Sequence, residues 1–191
     1  MYLIVHVPVI SHLSRVPRRK RGMHGYNSKP DRGLVIFDSK FGNTEKIAKS
    51  LAGGLLRAGV DAVCVNTRDV QVDSLTEFDL IAIGGPTQMF TASKPMKDFL
   101  LKLEKTEGLK GKYGFAFDTK FGSPLAGSAA KFIEKRLAEL GMKIVRPRQS
   151  AIVEKSEGPL EEGEMEAFER TGFEIGNTLT KDEKSGIKYS S

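Results

Sequence analysis

The sequence predicts an α/β fold, a doubly wound, five-stranded parallel sheet with helices on both faces. Two observations predict it. Between residues 32 and 180, short apolar runs alternate with segments whose apolar residues recur at helical spacing. The apolar runs are also nearly continuous, which is typical of strands that are buried on both faces of a parallel sheet. No internal repeat and no linker interrupts this region, so we expect it to form one domain.

Five apolar runs are predicted as strands. Each is bounded by glycine, aspartate, asparagine or another polar residue, as strands in such sheets are. The runs are LVIFD (34–38), DAVCVN (61–66), DLIAIGG (79–85), KYGFAFD (112–118) and a fifth strand over roughly 143–145 that resumes at 151–153.

Four helices are predicted between and after these strands. The first begins at Thr44, and Ser93 precedes the second as its N-cap residue. The first contains Gly53 and Gly54, which each cost about 1 kcal/mol relative to alanine, so close packing on the sheet is expected there. Gly59 ends the first helix, Pro95 lies in the first turn of the second, and Gly141 ends the third. The apolar faces of the second, third and fourth helices consist of Met96, Phe99, Leu100, Leu103, Ala129, Phe132, Ile133, Leu137, Leu140, Met165, Phe168, Ile175 and Leu179.

The net positive charge of the chain is confined to its first residues. Residues 1–30 contain six lysines and arginines and no acid, so residues 31–191 keep 24 of the 30 basic side chains against 24 acidic ones. A neutral main domain argues against nucleic acid as a partner. We expect residues 1–31 to be a disordered basic extension and residues 181–191 to be a polar tail.

The role of the N-terminal extension stays open. Its apolar start, MYLIVHVPVI, is too short to span a bilayer, and its basic cluster follows the apolar residues, the reverse of a secretory signal. It could be an organelle transit peptide, a stretch upstream of a true start at Met23, or a basic tail that touches membrane or nucleic acid. We expect a cytoplasmic protein without a membrane span.

The main domain lacks the side chains that carry several kinds of catalysis. No histidine occurs after residue 30, which removes histidine as a general base or metal ligand there, and no metal-binding spacing is found. The single cysteine, Cys64, lies within the apolar run DAVCVN and is interpreted as a packed core thiol, with a nucleophile as the alternative.

Three loops are the candidate binding segments. Open parallel sheets bind ligands beyond the carboxyl ends of their strands, and SKFGNT follows the first strand there. It leads into a helix N-terminus, whose free N–H groups and dipole favour an anion. A phosphate cradle and a tight turn with a polar cap are equally compatible with this loop. The chain contains neither the triphosphate motif GxxxxGK[ST] nor the dinucleotide motif GxGxxG.

The loops after the third and fourth strands are GGPTQMFTASK and TKFGSPLAG. Backbone groups together with apolar side chains suit a flat heteroaromatic ligand, whose edge the amides bind and whose face Met or Phe covers. The alternative is that Met89, Phe90 and Phe121 are partly buried anchors that hold the loops in place.

These three segments together resemble the flavodoxins. The resemblance rests on LVIFDSKFGNTEKIA, IAIGGPTQMF and FAFDTKFG and covers about residues 32–180, in the short-chain form. It implies a sheet in the order 2-1-3-4-5 and an FMN-binding domain. By position, it implies that the phosphate is surrounded by Ser39, Lys40, Phe41, Gly42, Asn43 and Thr44. It implies that the isoalloxazine is flanked by Pro86, Thr87, Gln88, Met89 and Phe90 on one side and by Asp118, Thr119, Lys120, Phe121 and Gly122 on the other.

The resemblance implies an electron carrier that acts between redox partner proteins. Many flavodoxins stack Trp or Tyr on the flavin, and neither loop has one here, so either Phe90, Met89 or Phe121 takes that place or the ring is more exposed. The alternatives are an FMN-dependent NAD(P)H oxidoreductase of the quinone reductase type and a flavin-free binding domain. The sequence leaves the oligomeric state open.

Overall fold

The computed structural model describes residues 31–123 and 125–185. Seven strands, four α-helices and one 3-10 helix are found there. In chain order they are β1 (Arg32–Phe37), α1 (Asn43–Arg57), β2 (Asp61–Asn66), the 3-10 helix (Val72–Glu77), β3 (Leu80–Gln88), β4 (Thr91–Ala92), α2 (Lys94–Leu103), β5 (Tyr113–Phe121), α3 (Ala129–Glu139), β6 (Lys143–Ile144), β7 (Gln149–Val153) and α4 (Glu164–Ser185).

The sheet confirms the predicted topology. Its parallel strands lie in the order β2-β1-β3-β5, and both β6 and β7 pair with β5 on its free side. The predicted fifth strand is therefore one sheet position occupied by two short pieces. Among the seven strands of the described residues, only β4 is antiparallel, since it folds back on the end of β3 as a hairpin. With that hairpin set aside, the order is the predicted 2-1-3-4-5.

Helices cover both faces of the sheet, and alternate residues of β1 show how. Leu34 and Ile36 belong to the core cluster beneath α2 and α3, which includes Met96 and Ile133. Val35 and Phe37 point to the other cluster, beneath α1 and α4. Because successive side chains of a strand point to opposite faces, a strand buried on both sides must be apolar throughout. All four of these β1 side chains are buried.

The glycine pair inside α1 has a different role from the one expected. A side chain at Gly54 would overlap the backbone carbonyl of Glu169 in α4, whereas one at Gly53 would meet nothing. Gly172 of α4 likewise lies against the carbonyl of Leu51. The expectation that this pair packs on the sheet was therefore wrong, because Gly54 packs against the backbone of the neighbouring helix α4.

The predicted chain ends are only partly described. Helix α4 continues to Ser185, into the segment expected to be a polar tail. Residues 1–30, which include nearly all of the predicted basic extension, and residues 186–191 lie outside the described residues. Within residues 31–123 and 125–185, no helix is both long and apolar enough to cross a membrane.

Candidate functional site

The sheet topology brings the three predicted loops to one edge. Strands β1, β3 and β5 are adjacent and parallel, so their carboxyl ends lie side by side. Phe37 pairs with Gly84 in the first of these ladders, and Pro86 pairs with Thr119 in the second. Each loop begins directly after its strand, which makes this edge the candidate site, as expected for an open parallel sheet.

The first loop leaves the N-terminus of α1 open. Gly42 takes the position before the helix with φ of 84°, a left-handed conformation that favours glycine, and no side chain caps the helix. The hydroxyl of Ser39 accepts a hydrogen bond from the N–H of Gly42 at 3.1 Å. The first helical bond runs from the N–H of Lys46 to the carbonyl of Gly42. The N–H groups of the first turn therefore remain available to an anion.

The helices that follow the other two loops are capped by serine. The hydroxyl of Ser93 accepts from the N–H of Met96 at the start of α2, and that of Ser128 accepts from the N–H of Lys131 in α3. Such caps use up the donors that an anion would need. In contrast, no side chain caps the first turn of α1, although the Ser39 hydroxyl closes the turn before it. The phosphate cradle stays a prediction, and the open N-terminus of α1 is compatible with it.

Two side chains of the first loop are tied to distant segments. The amide Nδ2 of Asn43 donates to the carbonyl of Glu157 at 2.9 Å, in the loop between β7 and α4. A bond between residues so far apart in the chain could not be read from the sequence. The hydroxyls of Thr44 and Thr119 lie 2.8 Å apart and are buried. Since this bond uses one of their two hydrogens, the other remains for a further acceptor.

The second loop is shorter than predicted, because β3 continues through Gln88. Gln88 pairs with Thr91 of β4, so Met89 and Phe90 form the two-residue tip of a hairpin. Both have positive φ, 48° and 69°, as tight hairpin turns require, although Asn-Gly is the preferred pair there. A side chain at Gly127 would overlap the backbone of Phe90, so the β5–α3 loop packs directly behind this tip.

The third loop also begins later than predicted. Strand β5 continues through Phe121, so Thr119, Lys120 and Phe121 are strand residues at the sheet edge and Gly122 follows them. The amine of Lys120 donates to the carbonyl of Gly127 at 3.5 Å. The candidate residues of this segment thus have a fixed backbone.

Exposed apolar side chains are concentrated at this edge. Met89 is 88% exposed and Phe90 is 71% exposed, so neither is a buried anchor, and Phe121 is 45% exposed. Of the eight large exposed apolar side chains among the described residues, five lie in the three loops, the other two of these being Phe41 and Leu125. Exposed apolar side chains brought together in this way are typical of a binding surface.

Two carboxylates are buried beneath the loops. Asp38 follows β1, and its Oδ2 accepts from the hydroxyl of Ser93 at 2.5 Å. Asp118 in β5 is fully buried, so it lies under the candidate surface and does not line it. The sequence missed Asp38 and the cap Ser128 as parts of the site. An acid directly after an apolar strand was the available signal for Asp38.

The remaining chemistry of the described residues agrees with a core role for Cys64. Its thiol is fully buried in β2, and burial raises its pKa to about 12, with smaller effects from Lys49 and Glu45. The thiolate is the reactive form, so the prediction of a packed core thiol is confirmed. No group of three or more His, Cys, Asp or Glu side chains within the described part of the chain is placed to hold a metal ion.

Comparison with known proteins identifies the family to which this chain belongs. The family model described as Flavodoxin matches residues 35–170. A flavodoxin of Clostridium beijerinckii is 36% identical over 50 residues, 26% of this chain and 36% of that protein. The NAD(P)H dehydrogenase (quinone) 3 of Rhizobium meliloti (strain 1021) is 28% identical over 140 residues, 59% of this chain and 64% of that protein. The chain therefore covers less than two thirds of either relative's own length.

Among solved structures, the chain is similar to a flavodoxin from the domain Archaea. The two are 25% identical, with a TM-score of 0.68, and the match covers 78% of this chain and 99% of the other. The match therefore covers almost the whole of that structure.

Proposed function

We propose, because this chain belongs to the flavodoxin family, that it binds FMN at the edge formed by the three loops and carries electrons between redox partner proteins. The observation that carries the proposal is the uncapped N-terminus of α1 beside a surface of exposed apolar side chains. An anionic tail and a flat apolar ring require these two features side by side.

The first loop is proposed to hold the phosphate. Gly42 leaves open space where a side chain would stand, so the phosphate can approach the backbone of the first turn. The hydroxyls of Ser39 and Thr44 and the ammonium of Lys40 add donors and positive charge. In the proposed site the whole loop surrounds the phosphate, namely Ser39, Lys40, Phe41, Gly42, Asn43 and Thr44.

The other two segments are proposed to hold the ring. Phe90 and Met89 at the hairpin tip can cover one face of the isoalloxazine, and Phe121 can cover the other. The backbone groups around them can bind the polar edge of the ring. The proposed set is Pro86, Thr87, Gln88, Met89 and Phe90 with Thr119, Lys120, Phe121 and Gly122, whereas Asp118, which was also predicted to flank the ring, is buried beneath them.

FMN supplies the chemistry, since it accepts and releases one or two electrons. The residues of this chain bind the phosphate, orient the ring and shield its faces from water. A carrier does not need a side chain that transfers protons to a substrate, and the proposal assigns none. The proposed partners are redox proteins that reach the ring edge beside the exposed residues Met89 and Phe90.

A second candidate function is supported by one comparison. The relative from Rhizobium meliloti carries the name of an NAD(P)H dehydrogenase (quinone). An FMN-dependent reductase of this kind would take electrons directly from NAD(P)H and pass them to a quinone. A carrier, in contrast, would take its electrons from a partner protein.

Absorption spectroscopy separates the two functions. The protein is mixed with FMN, passed through a gel-filtration column and kept free of oxygen. Retained flavin bands support the cofactor proposal. Addition of NADPH should leave these bands unchanged for a carrier, whereas dithionite should bleach them as a positive control. Rapid bleaching by NADPH, followed by recovery when a quinone is added, would instead establish the reductase.

A further inference from the structure

One side chain of the first loop is attached to a segment outside the three loops. The amide Nδ2 of Asn43 donates to the carbonyl of Glu157 at 2.9 Å, across 114 positions of the chain. Asn43 is the first residue of α1 and is buried. A Cβ atom at Gly158 would lie only 2.7 Å from Nδ2 and 2.8 Å from Oδ1 of Asn43. The contact therefore leaves no room for a side chain at position 158.

The segment that contains Glu157 is firmly attached to the sheet. It follows β7, which pairs with β5, and it folds back on the end of that strand. The N–H of Glu161 donates to the carbonyl of Ile152 at 2.9 Å, and the N–H of Glu154 donates to the carbonyl of Pro159 at 3.0 Å. The carbonyl of Glu157 thus lies in a closed turn, which gives Asn43 a fixed acceptor.

The loop before α1 is held by few contacts. Gly42 has a φ of 84° and open space beside it, and the N–H groups of the first helical turn have no partner within the helix. Among the described residues, three side-chain hydrogen bonds hold this loop. Ser39 accepts from the N–H of Gly42, Thr44 bonds to Thr119, and Asn43 bonds to Glu157. Of these three, the bond of Asn43 connects the helix N-terminus to the turn after β7.

We propose that Asn43 is a positioning residue, whose side-chain amide holds the open N-terminus of α1 in the geometry that receives the phosphate. The inference rests on the proposed function, because the phosphate is that of FMN. Backbone N–H groups bind a ligand more tightly when they are held in the bound geometry beforehand. If the bond to Glu157 is lost, only a fraction of the chains presents these groups correctly, and the apparent affinity falls by that fraction.

The first test is Asn43→Ala in the full chain, which removes the amide and keeps the backbone N–H. We expect the dissociation constant of FMN to rise about threefold to tenfold, the scale of one intramolecular hydrogen bond. The dissociation constant of riboflavin, which has no phosphate, should stay nearly unchanged. Both are measured by fluorescence titration. A residue that only stabilises the fold would not distinguish the two flavins.

Gly158→Ala disturbs the same contact from its other side. Its methyl group would overlap the amide of Asn43, so we expect the same selective loss of FMN affinity. Gly163→Ala is the matched control. Gly163 lies in the same connection and also has a positive φ, 83° against 105° at Gly158, but a Cβ atom there would meet nothing. This variant strains the backbone without touching Asn43 and should keep the wild-type affinity for FMN.

Hydrogen exchange of the wild type is a measurement that needs no variant. If Asn43 couples the turn after β7 to the N-terminus of α1, binding at one must stabilise the other. FMN should therefore slow the exchange of the backbone N–H groups of residues 155–158, and riboflavin should slow it less. The exchange is followed by mass spectrometry of peptic fragments.

The outcomes separate this inference from the proposed function. A wild-type chain that does not bind FMN overturns both. Equal FMN affinities for wild type and Asn43→Ala overturn the positioning role alone. A loss in Asn43→Ala with none in Gly158→Ala would mean that the amide binds the phosphate directly, which also contradicts positioning.

The control and the exchange experiment cover the remaining cases. Equal losses of FMN affinity in Gly158→Ala and Gly163→Ala would show a general effect of loop strain and contradict the inference. If Gly158→Ala does not fold, hydrogen exchange decides, since exchange at residues 155–158 that bound FMN leaves unchanged overturns the inference.

Discussion

At the scale of single residues, the buried hydroxyl pair Thr44–Thr119 joins the first loop of the candidate site to strand β5. The two hydroxyls lie 2.8 Å apart, and both side chains are buried. The sequence predicted that each lies in the site. It could not predict their contact, because they are separated by 75 positions. The same holds for Asn43 and the carbonyl of Glu157.

Thr44→Ala should weaken FMN binding by about tenfold or more. A charge-assisted hydrogen bond to phosphate contributes about 1.5–3 kcal/mol, and tenfold corresponds to about 1.4 kcal/mol. The dissociation constant is measured by quenching of FMN fluorescence. Thr44→Ser keeps the hydroxyl and should retain most of the affinity. Equal affinities for wild type and the alanine variant would place the phosphate elsewhere.

Cys64 makes a pH-dependent contribution to stability. Burial raises its pKa in the folded chain to about 12 from the ordinary value of 9.0, which is the reference for the unfolded chain. Between these values the unfolded chain binds fewer protons. The free energy of unfolding should therefore fall with rising pH by about 1.4 kcal/mol per unit from this group, and below about pH 8 the effect should vanish.

The check is urea denaturation from pH 7 to pH 11 for wild type and Cys64→Ala. The alanine variant is expected to lose stability less steeply above about pH 9, although its stability at pH 7 is lower because of the cavity. Parallel curves for the two proteins across this range would show that the thiol is not buried in solution.

At the scale of elements, the hairpin of β3 and β4 is the feature that differs most from what the sequence predicts. Pro86 follows two glycines, and the segment was predicted to be a loop. Pro86 pairs with Thr119 in the ladder to β5, and β3 continues to Gln88. The hairpin could not be predicted because its tip, Met-Phe, lacks the Asn or Gly that marks such turns. Left-handed residues with large side chains are strained, and such strain is found at functional sites.

Replacement of the tip by the preferred turn should separate stability from binding. The double substitution Met89→Asn with Phe90→Gly should raise the free energy of unfolding by about 1–3 kcal/mol, since both positions are left-handed. It should also weaken FMN binding, because the two apolar side chains proposed to cover the ring are lost. Urea denaturation and FMN titration provide the two readouts.

Leu101→Asn is the control for the hairpin experiment. Leu101 is also an exposed apolar residue, but it lies on α2, away from the three loops. This variant should change neither readout appreciably. A hairpin variant with unchanged FMN affinity would remove Met89 and Phe90 from the proposed site.

The contact between α1 and α4 provides a second prediction at this scale. Gly54→Ala should lower the free energy of unfolding by about 2 kcal/mol or more, because a methyl group would overlap the carbonyl of Glu169. Its neighbour provides the control, since Gly53 has open space beside it. Gly53→Ala should raise stability by about 0.5–1 kcal/mol. Thermal or urea denaturation of both variants is the test, and effects of the same sign would contradict the packing described.

At the scale of the whole molecule, the fold was predictable because its apolar runs are buried on both faces. Continuous runs such as LVIFD admit few other architectures, and the helix patterns between them fixed the alternation. The location of the candidate site followed from the topology, because the carboxyl ends of adjacent parallel strands lie side by side at one edge of the sheet. The partners inside the site, above all the bond between Asn43 and Glu157, depend on contacts between distant segments. No local pattern encodes these.

The central claim is that the open N-terminus of α1 binds the phosphate of a flavin. The most direct measurement compares FMN with riboflavin, which has the same ring and no phosphate, by fluorescence titration of the wild-type chain. We expect one FMN per chain and an affinity for riboflavin at least about tenfold weaker, because the phosphate bonds are lost. Equal affinities would show that the ring alone is recognised, and no binding of either would contradict the cofactor site altogether.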